Sequence, residues 1–142
     1  MRSIEQTIHE FYQAMSFQPG EVPPAEKLYD LFIGEGILIN NGMDEPLKVN
    51  VATFIQAFKE NIAKGIFPSL QGKEISHKTD VFGKIAQRFS VYEFRYGSHV
   101  SLGINSIQLI EVKGSWFITS AVWVDQNESL KIPEEYLQNS QA

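Results

Sequence analysis

Four positions in the second half of the chain carry the residue types that binding or catalysis needs, each in apolar surroundings. Glu93 and Arg95 stand in the segment 85–96 among Val, Phe and Tyr. A carboxylate placed there is a candidate general acid or base, or a ligand anchor. The structural reading pairs Glu93 with Arg95, Arg88 or a partner chain; side chains two apart share a strand face, so pairing with Arg95 is easy. Structural ion pairs perturb carboxylates as readily as active sites do. Asn105 offers an amide that hydrogen-bonds a ligand carbonyl or hydroxyl, or satisfies neighbouring buried backbone. Trp123 offers an aromatic wall, although a buried indole more often belongs to the core.

Other chemistries find no support. His9, His77 and His99 are far apart and lack ligand spacing, so no metal site is expected. His77 and Asp80, three apart in a strand, point to opposite faces. The sequence contains no cysteine, which excludes disulfides, thiolate metal sites and cysteine nucleophiles. No phosphate loop, dinucleotide-binding glycine fingerprint or nucleophile elbow is present, and no cofactor is expected. The formal net charge is −5, with 12 basic residues occurring singly. The positive patch that nucleic acid requires is missing. No apolar run approaches the roughly 20 residues of a membrane span, and Met1-Arg2-Ser3-Ile4-Glu5 leads into amphipathic rather than signal-like sequence. The expectation is a cytoplasmic protein of one domain, residues 1–142.

The elements that must position these residues divide the chain in two. Ile4, Ile8, Phe11, Tyr12 and Met15 recur at helical spacing, with Ser3 and Gln6 as a capping box. Gln18-Pro19-Gly20 stops that helix, and the prolines at 23 and 24 open a short second one carrying Leu28, Leu31 and Phe32. Ile37-Leu38-Ile39 reads as a short strand closed by Asn40-Asn41-Gly42. A third helix runs from about Asn50 to Lys64, with Phe54, Phe58 and Ile62 on one stripe and Gly65 as its stop. Segments 73–82, 85–96, 102–113 and 116–125 then read as strands joined by glycine-containing turns. Helices followed by hairpin-linked strands give an α+β protein.

The last two strands show no clean alternation of apolar and polar residues. One face reads Gly103, Asn105, Ile107 and Leu109, with Phe117, Thr119, Ala121 and Trp123. The other reads Ile104, Ser106, Gln108 and Ile110, with Trp116, Ile118, Ser120 and Val122. Both faces are therefore expected to be covered. Three helices cover only one, so a homodimer through the outer sheet face is expected, the alternative being a monomer with scattered surface apolar residues.

The stretch Phe82-Gly83-Lys84-Ile85-Ala86-Gln87-Arg88-Phe89-Ser90-Val91-Tyr92-Glu93 resembles a strand-turn-strand signature of nuclear-transport-factor-2-like proteins. Gly103-Ile104-Asn105-Ser106-Ile107-Gln108-Leu109 and Gly114-Ser115-Trp116-Phe117-Ile118 resemble their last two strands. The resemblance implies a cystatin-like cone, a curved antiparallel sheet packed on three N-terminal helices. Ketosteroid isomerase-like members use a tyrosine and two aspartates; the corresponding positions here hold Phe11, Asn40 and Asn105, which implies that this chemistry is absent. Three readings follow. In the first, a small apolar or amphipathic ligand lies in an apolar pocket inside the cone, with Phe11, Phe54, Phe58, Val91 and Trp123 as wall and Glu93 and Asn105 as polar contacts. In the second, the chain is a SnoaL-like isomerase, cyclase or hydratase with Glu93 as acid–base. In the third, it is a non-catalytic dimeric interaction module whose cone is filled by side chains.

Overall fold

The computed structural model describes residues 1–137. Helix α1 (Ile4–Gln13) begins at the capping box: Ser3 Oγ accepts from the Gln6 amide at 3.1 Å, and Gln6 Oε1 accepts from the Ser3 amide at 2.9 Å. Its stripe of Ile4, Ile8, Phe11 and Tyr12 is buried. A helical turn at Ala25–Lys27 runs into α2 (Leu28–Leu31), and strand β1 (Phe32–Asn40) follows at once. A short strand, β2 (Leu47–Val49), pairs antiparallel with β1 and has no counterpart in the sequence reading. Helix α3 (Val51–Ala63) starts at Asn50, whose side chain accepts from the Thr53 amide at 2.9 Å.

Four long strands complete the sheet: β3 (Gln71–Phe82), β4 (Ile85–Tyr96), β5 (His99–Val112) and β6 (Ser115–Asp125). The order is β2-β1-β6-β5-β4-β3. All neighbours are antiparallel except β1 and β6, which run parallel and join the helical half of the chain to the hairpin half. The sheet is thus mixed at one pair, where uniform antiparallel pairing was expected.

One face of the sheet packs on α1 and α3 and forms the inside of the cone. Its core includes Ile8, Phe11, Tyr12, Leu28, Leu38, Ile107, Leu109 and Ile118, all 2 % exposed or less. Gly72 and Gly103 let the aromatic filling approach the backbone. A Cβ at Gly72 would overlap the Phe94 ring, and one at Gly103 would overlap the Tyr92 hydroxyl and the Val124 carbonyl.

Two bulges decide which side chains face inward. On β3 the register passes from Glu74 opposite Tyr92 to Ser76 opposite Val91, leaving Ile75 as the extra residue. On β6 it passes from Ile118 opposite Leu109 to Ser120 opposite Gln108, leaving Thr119 extra. The second bulge corrects the expected faces of β6. Trp116 and Ile118 join Ala121 and Trp123 on the inner side, whereas Phe117 shares the outer side with Ser120 and Val122.

Candidate functional site

The inside of the cone holds a continuous chain of polar groups built from α1, β3 and β4. Arg88, 2 % exposed, meets Glu74 through a two-pronged contact: Nε to Oε2 at 3.0 Å and Nη2 to Oε1 at 2.5 Å. Ser90 Oγ donates to Glu74 Oε2 at 2.6 Å. With its proton committed there, Ser90 can only accept from the Tyr12 hydroxyl, 2.7 Å away. On the other side Arg88 Nη1 donates to Thr79 Oγ1 (3.1 Å) and to the exposed Glu5 carboxylate (3.3 Å). Thr79 Oγ1 lies 3.3 Å from His77 Nδ1.

This arrangement binds its own groups. Both oxygens of Glu74 accept from Arg88, and one accepts from Ser90 as well, so three hydrogen bonds hold the carboxylate. Burial pushes the Tyr12 hydroxyl far above the ordinary phenol value, against the opposing effect of Ser90. Burial, then the Arg88 charge, hold His77 below the usual histidine range. Tyr92 donates to Asp125, and burial followed by that hydrogen bond raises its hydroxyl too. Cross-linking of α1 to the sheet is what these residues do. Among the described residues no three His, Asp or Glu side chains gather as a metal would require.

The predicted site residues separate onto two faces. Phe54 stacks on Phe58 (centroids 6.2 Å apart) and meets Trp123 edge-on at 6.2 Å. Asn105 is adjacent to Trp123 in the sheet register and opposite Ser90 on its other side. Phe11 lies against Tyr12 and Phe32. These five face the cone. Val91 and Glu93 do not: β4 alternates without interruption, Ser90 and Tyr92 point inward, and Val91 and Glu93 therefore point outward. On the convex side Glu93 accepts from Arg95 Nε at 2.9 Å and lies 3.9 Å from Lys73 Nζ. The Arg95 hydrogen bond holds its carboxyl below the usual carboxylate range, opposite to what a general acid at neutral pH requires. The place of Glu93 in the cone, and with it the acid–base role, is corrected. Asn40 closes a turn, its Oδ1 accepting from the Gly42 amide at 3.0 Å.

Tyr12, Glu74, Arg88 and Ser90 were not singled out from sequence. Phe11 carries no hydroxyl, but its neighbour Tyr12 delivers one to the sheet beside Asn105. The Asn105 Oδ1 is itself buried and has no hydrogen-bond partner among the described residues.

The convex face is different in kind. From β1 to β4 its rows read Ile39, Val122, Ser106, Phe89 and, one step along, Ile37, Ser120, Gln108, Gln87. None of these eight side chains is charged. Ile37, Phe89 and Ile85 are 37, 40 and 58 % exposed.

A cone of helices inside a curved sheet, with the order β2-β1-β6-β5-β4-β3, decides the fold. It is the nuclear-transport-factor-2-like fold. A scytalone dehydratase-like protein from Novosphingobium aromaticivorans superposes with a TM-score of 0.67 at 14% identity, over 87% of this chain and 82% of that one. A calcium/calmodulin-dependent protein kinase II association-domain-like protein from Xanthomonas campestris gives 0.62 at 14% identity, over 84% and 82%. A nuclear-transport-factor-2-like protein of unknown function from Shewanella baltica gives 0.56 at 13%, over 84% and 86%. No protein-family model matches the sequence. No curated protein matches it either. At such identities the likeness is one of fold, and the fold hosts many activities.

Proposed function

We propose that this nuclear-transport-factor-2-like chain is a non-catalytic interaction module that self-associates through its convex sheet face. The observation that carries the reading is the uncharged field formed by Ile37, Ile39, Phe89, Ile104, Ser106, Gln108, Ser120 and Val122. Interface cores are depleted of charge in this way, and two copies of a chain with net charge −5 approach most readily where neither presents a charge. The chain from Arg88 through Glu74 and Ser90 to Tyr12, whose groups bond one another, supports the non-catalytic part. A cytoplasmic setting belongs to the same reading. Sedimentation velocity tests it: Val122→Lys places a charge in the centre of the face and is expected to weaken the dimer at least about tenfold. A dimer of unchanged strength would rule out this face.

The Asn105 carboxamide favours a second reading. Its unpartnered Oδ1, beside the Tyr12 hydroxyl and the rings of Trp123 and Phe54, suits an amphipathic ligand that presents a hydroxyl or N–H to an apolar wall. Titration with p-cresol, followed at the Trp123 indole by NMR, is then expected to show saturable shifts that Asn105→Leu removes. Shifts that persist in Asn105→Leu would end that reading.

A further inference from the structure

The segment after β6 returns across the molecule. The Gln126 amide donates to the Leu102 carbonyl at 2.8 Å. Farther along, α4 (Glu134–Leu137) packs on β3, and the Tyr136 ring lies 5.7 Å from the ring of the outward-facing Phe89. The convex face carries an anomaly beside this contact. Ser76 and Val91 point outward, yet they are 2 and 0 % exposed.

Three features show that the cover is loosely held. Among the described residues, the hydrogen bonds of 127–137 stay within 126–137: Asn127 Oδ1 accepts from Ser129 and Leu130, Ile132 donates to Gln126, and Tyr136 donates to Pro133. A gap of about 120 Å³ remains beside α4, lined by Lys78, Asp80, Gln87, Phe89 and Tyr136. Burial also leaves the Ser76 hydroxyl without a partner among the described residues, a desolvation cost that contact with water would remove.

We propose that residues 127–137 form a displaceable strap that competes with a second copy of the chain for the convex face. The inference rests on the convex-face dimer proposed above. A second copy is the occupant because of charge and continuity. The strap carries Glu128, Glu134 and Glu135 against the single Lys131, so while docked it presents an acidic surface to another acidic copy. The buried row beside it, Val91 and Ser76, continues directly into Ile104 of the uncharged field and its neighbour Val124. Release joins the two into one apolar surface.

Sedimentation velocity on the full chain, on a chain ending at Asn127 and on Tyr136→Ser tests the strap, with circular dichroism melts confirming that each is folded. The shortened chain and Tyr136→Ser are expected to dimerise at least about tenfold more tightly than the full chain. Ser76→Ala, which removes the unpartnered hydroxyl from under the docked strap, is expected to weaken the dimer. Equal dimer strength in the full and shortened chains, or a weaker dimer in the shortened one, overturns the strap and leaves the dimer standing. A shortened chain that stays monomeric throughout, or that dimerises unaffected by an added Val122→Lys, overturns the convex-face dimer itself. Should the shortened chain fail to fold, Tyr136→Ser and Ser76→Ala, with their opposite expected signs, decide the matter.

Discussion

At the scale of single residues the account turns on Arg88 and Glu74. The guanidinium is almost fully buried and makes two of the carboxylate's three hydrogen bonds, so removing one partner strands the other charge. Arg88→Ala is expected to cost roughly 3 to 5 kcal/mol in urea unfolding. The paired replacement Glu74→Leu with Arg88→Met is expected to recover most of that loss, because a packed apolar pair replaces a desolvated ionic one. His77 adds a pH dependence with a definite sign. Its folded pKa lies below the ordinary value of 6.5, chiefly through burial and the Arg88 charge, with Glu74 and Glu5 opposing. The unfolded chain therefore takes up the proton first. The His77 contribution to stability is complete above pH 6.5 and is lost as pH falls from there through the folded pKa. The urea midpoint of the parent, minus that of His77→Gln, is expected to fall across that window. A difference that stays flat or rises would show that His77 is not held neutral.

At the scale of elements the two bulges do most to separate the sequence reading from the structure. The Phe82–Ile85 hairpin, continued without interruption, would set Glu74 directly opposite Glu93, two like charges on one face. The extra residue at Ile75 instead places Glu74 opposite Tyr92, facing Arg88, and gives Glu93 the cationic neighbour Lys73. On β6, Thr119 turns Ile118 inward while Ser120 stays outward. Simple alternation would put both on one face. Ile118→Lys is thus expected to abolish cooperative folding, whereas Ser120→Lys changes monomer stability by no more than about 0.5 kcal/mol in the same melts. Similar penalties for the two would contradict the bulge. Such irregularities leave no periodicity to read. The helix caps, the strand limits of β4 and the hairpin order were legible because Ser3, Asn50 and the turn glycines carry the signal locally. The outward position of Glu93 was legible too. The two-residue turn Gly97–Ser98 pairs Tyr96 with His99, and counting back puts Asn105 opposite Ser90. An Asn105 inside the cone therefore requires Val91 and Glu93 outside it. The polar chain from Tyr12 to His77 was not readable, because it joins residues up to 78 apart in sequence through a bulged register.

At the scale of the whole molecule, the same sheet has one face filled and one face available. The inner face buries its aromatic rings against α1 and α3 and ties Tyr12, Ser90, Glu74 and Arg88 to one another, which suits a rigid scaffold. The outer face carries an uncharged field on an acidic chain, and its Phe89 meets Tyr136 of the returning C-terminal segment. The proposed self-association and its proposed control both lie on the side of the sheet away from the cone. The most direct measurement is methyl NMR on isoleucine-labelled protein diluted from submillimolar to low micromolar concentration. The outward-facing Ile104 and Ile110 methyls are predicted to shift with concentration along one binding curve, while the inward-facing Ile107 and Ile118 methyls stay fixed. Concentration-dependent shifts confined to the inward isoleucines, or none at the outward ones, would contradict the convex-face interface.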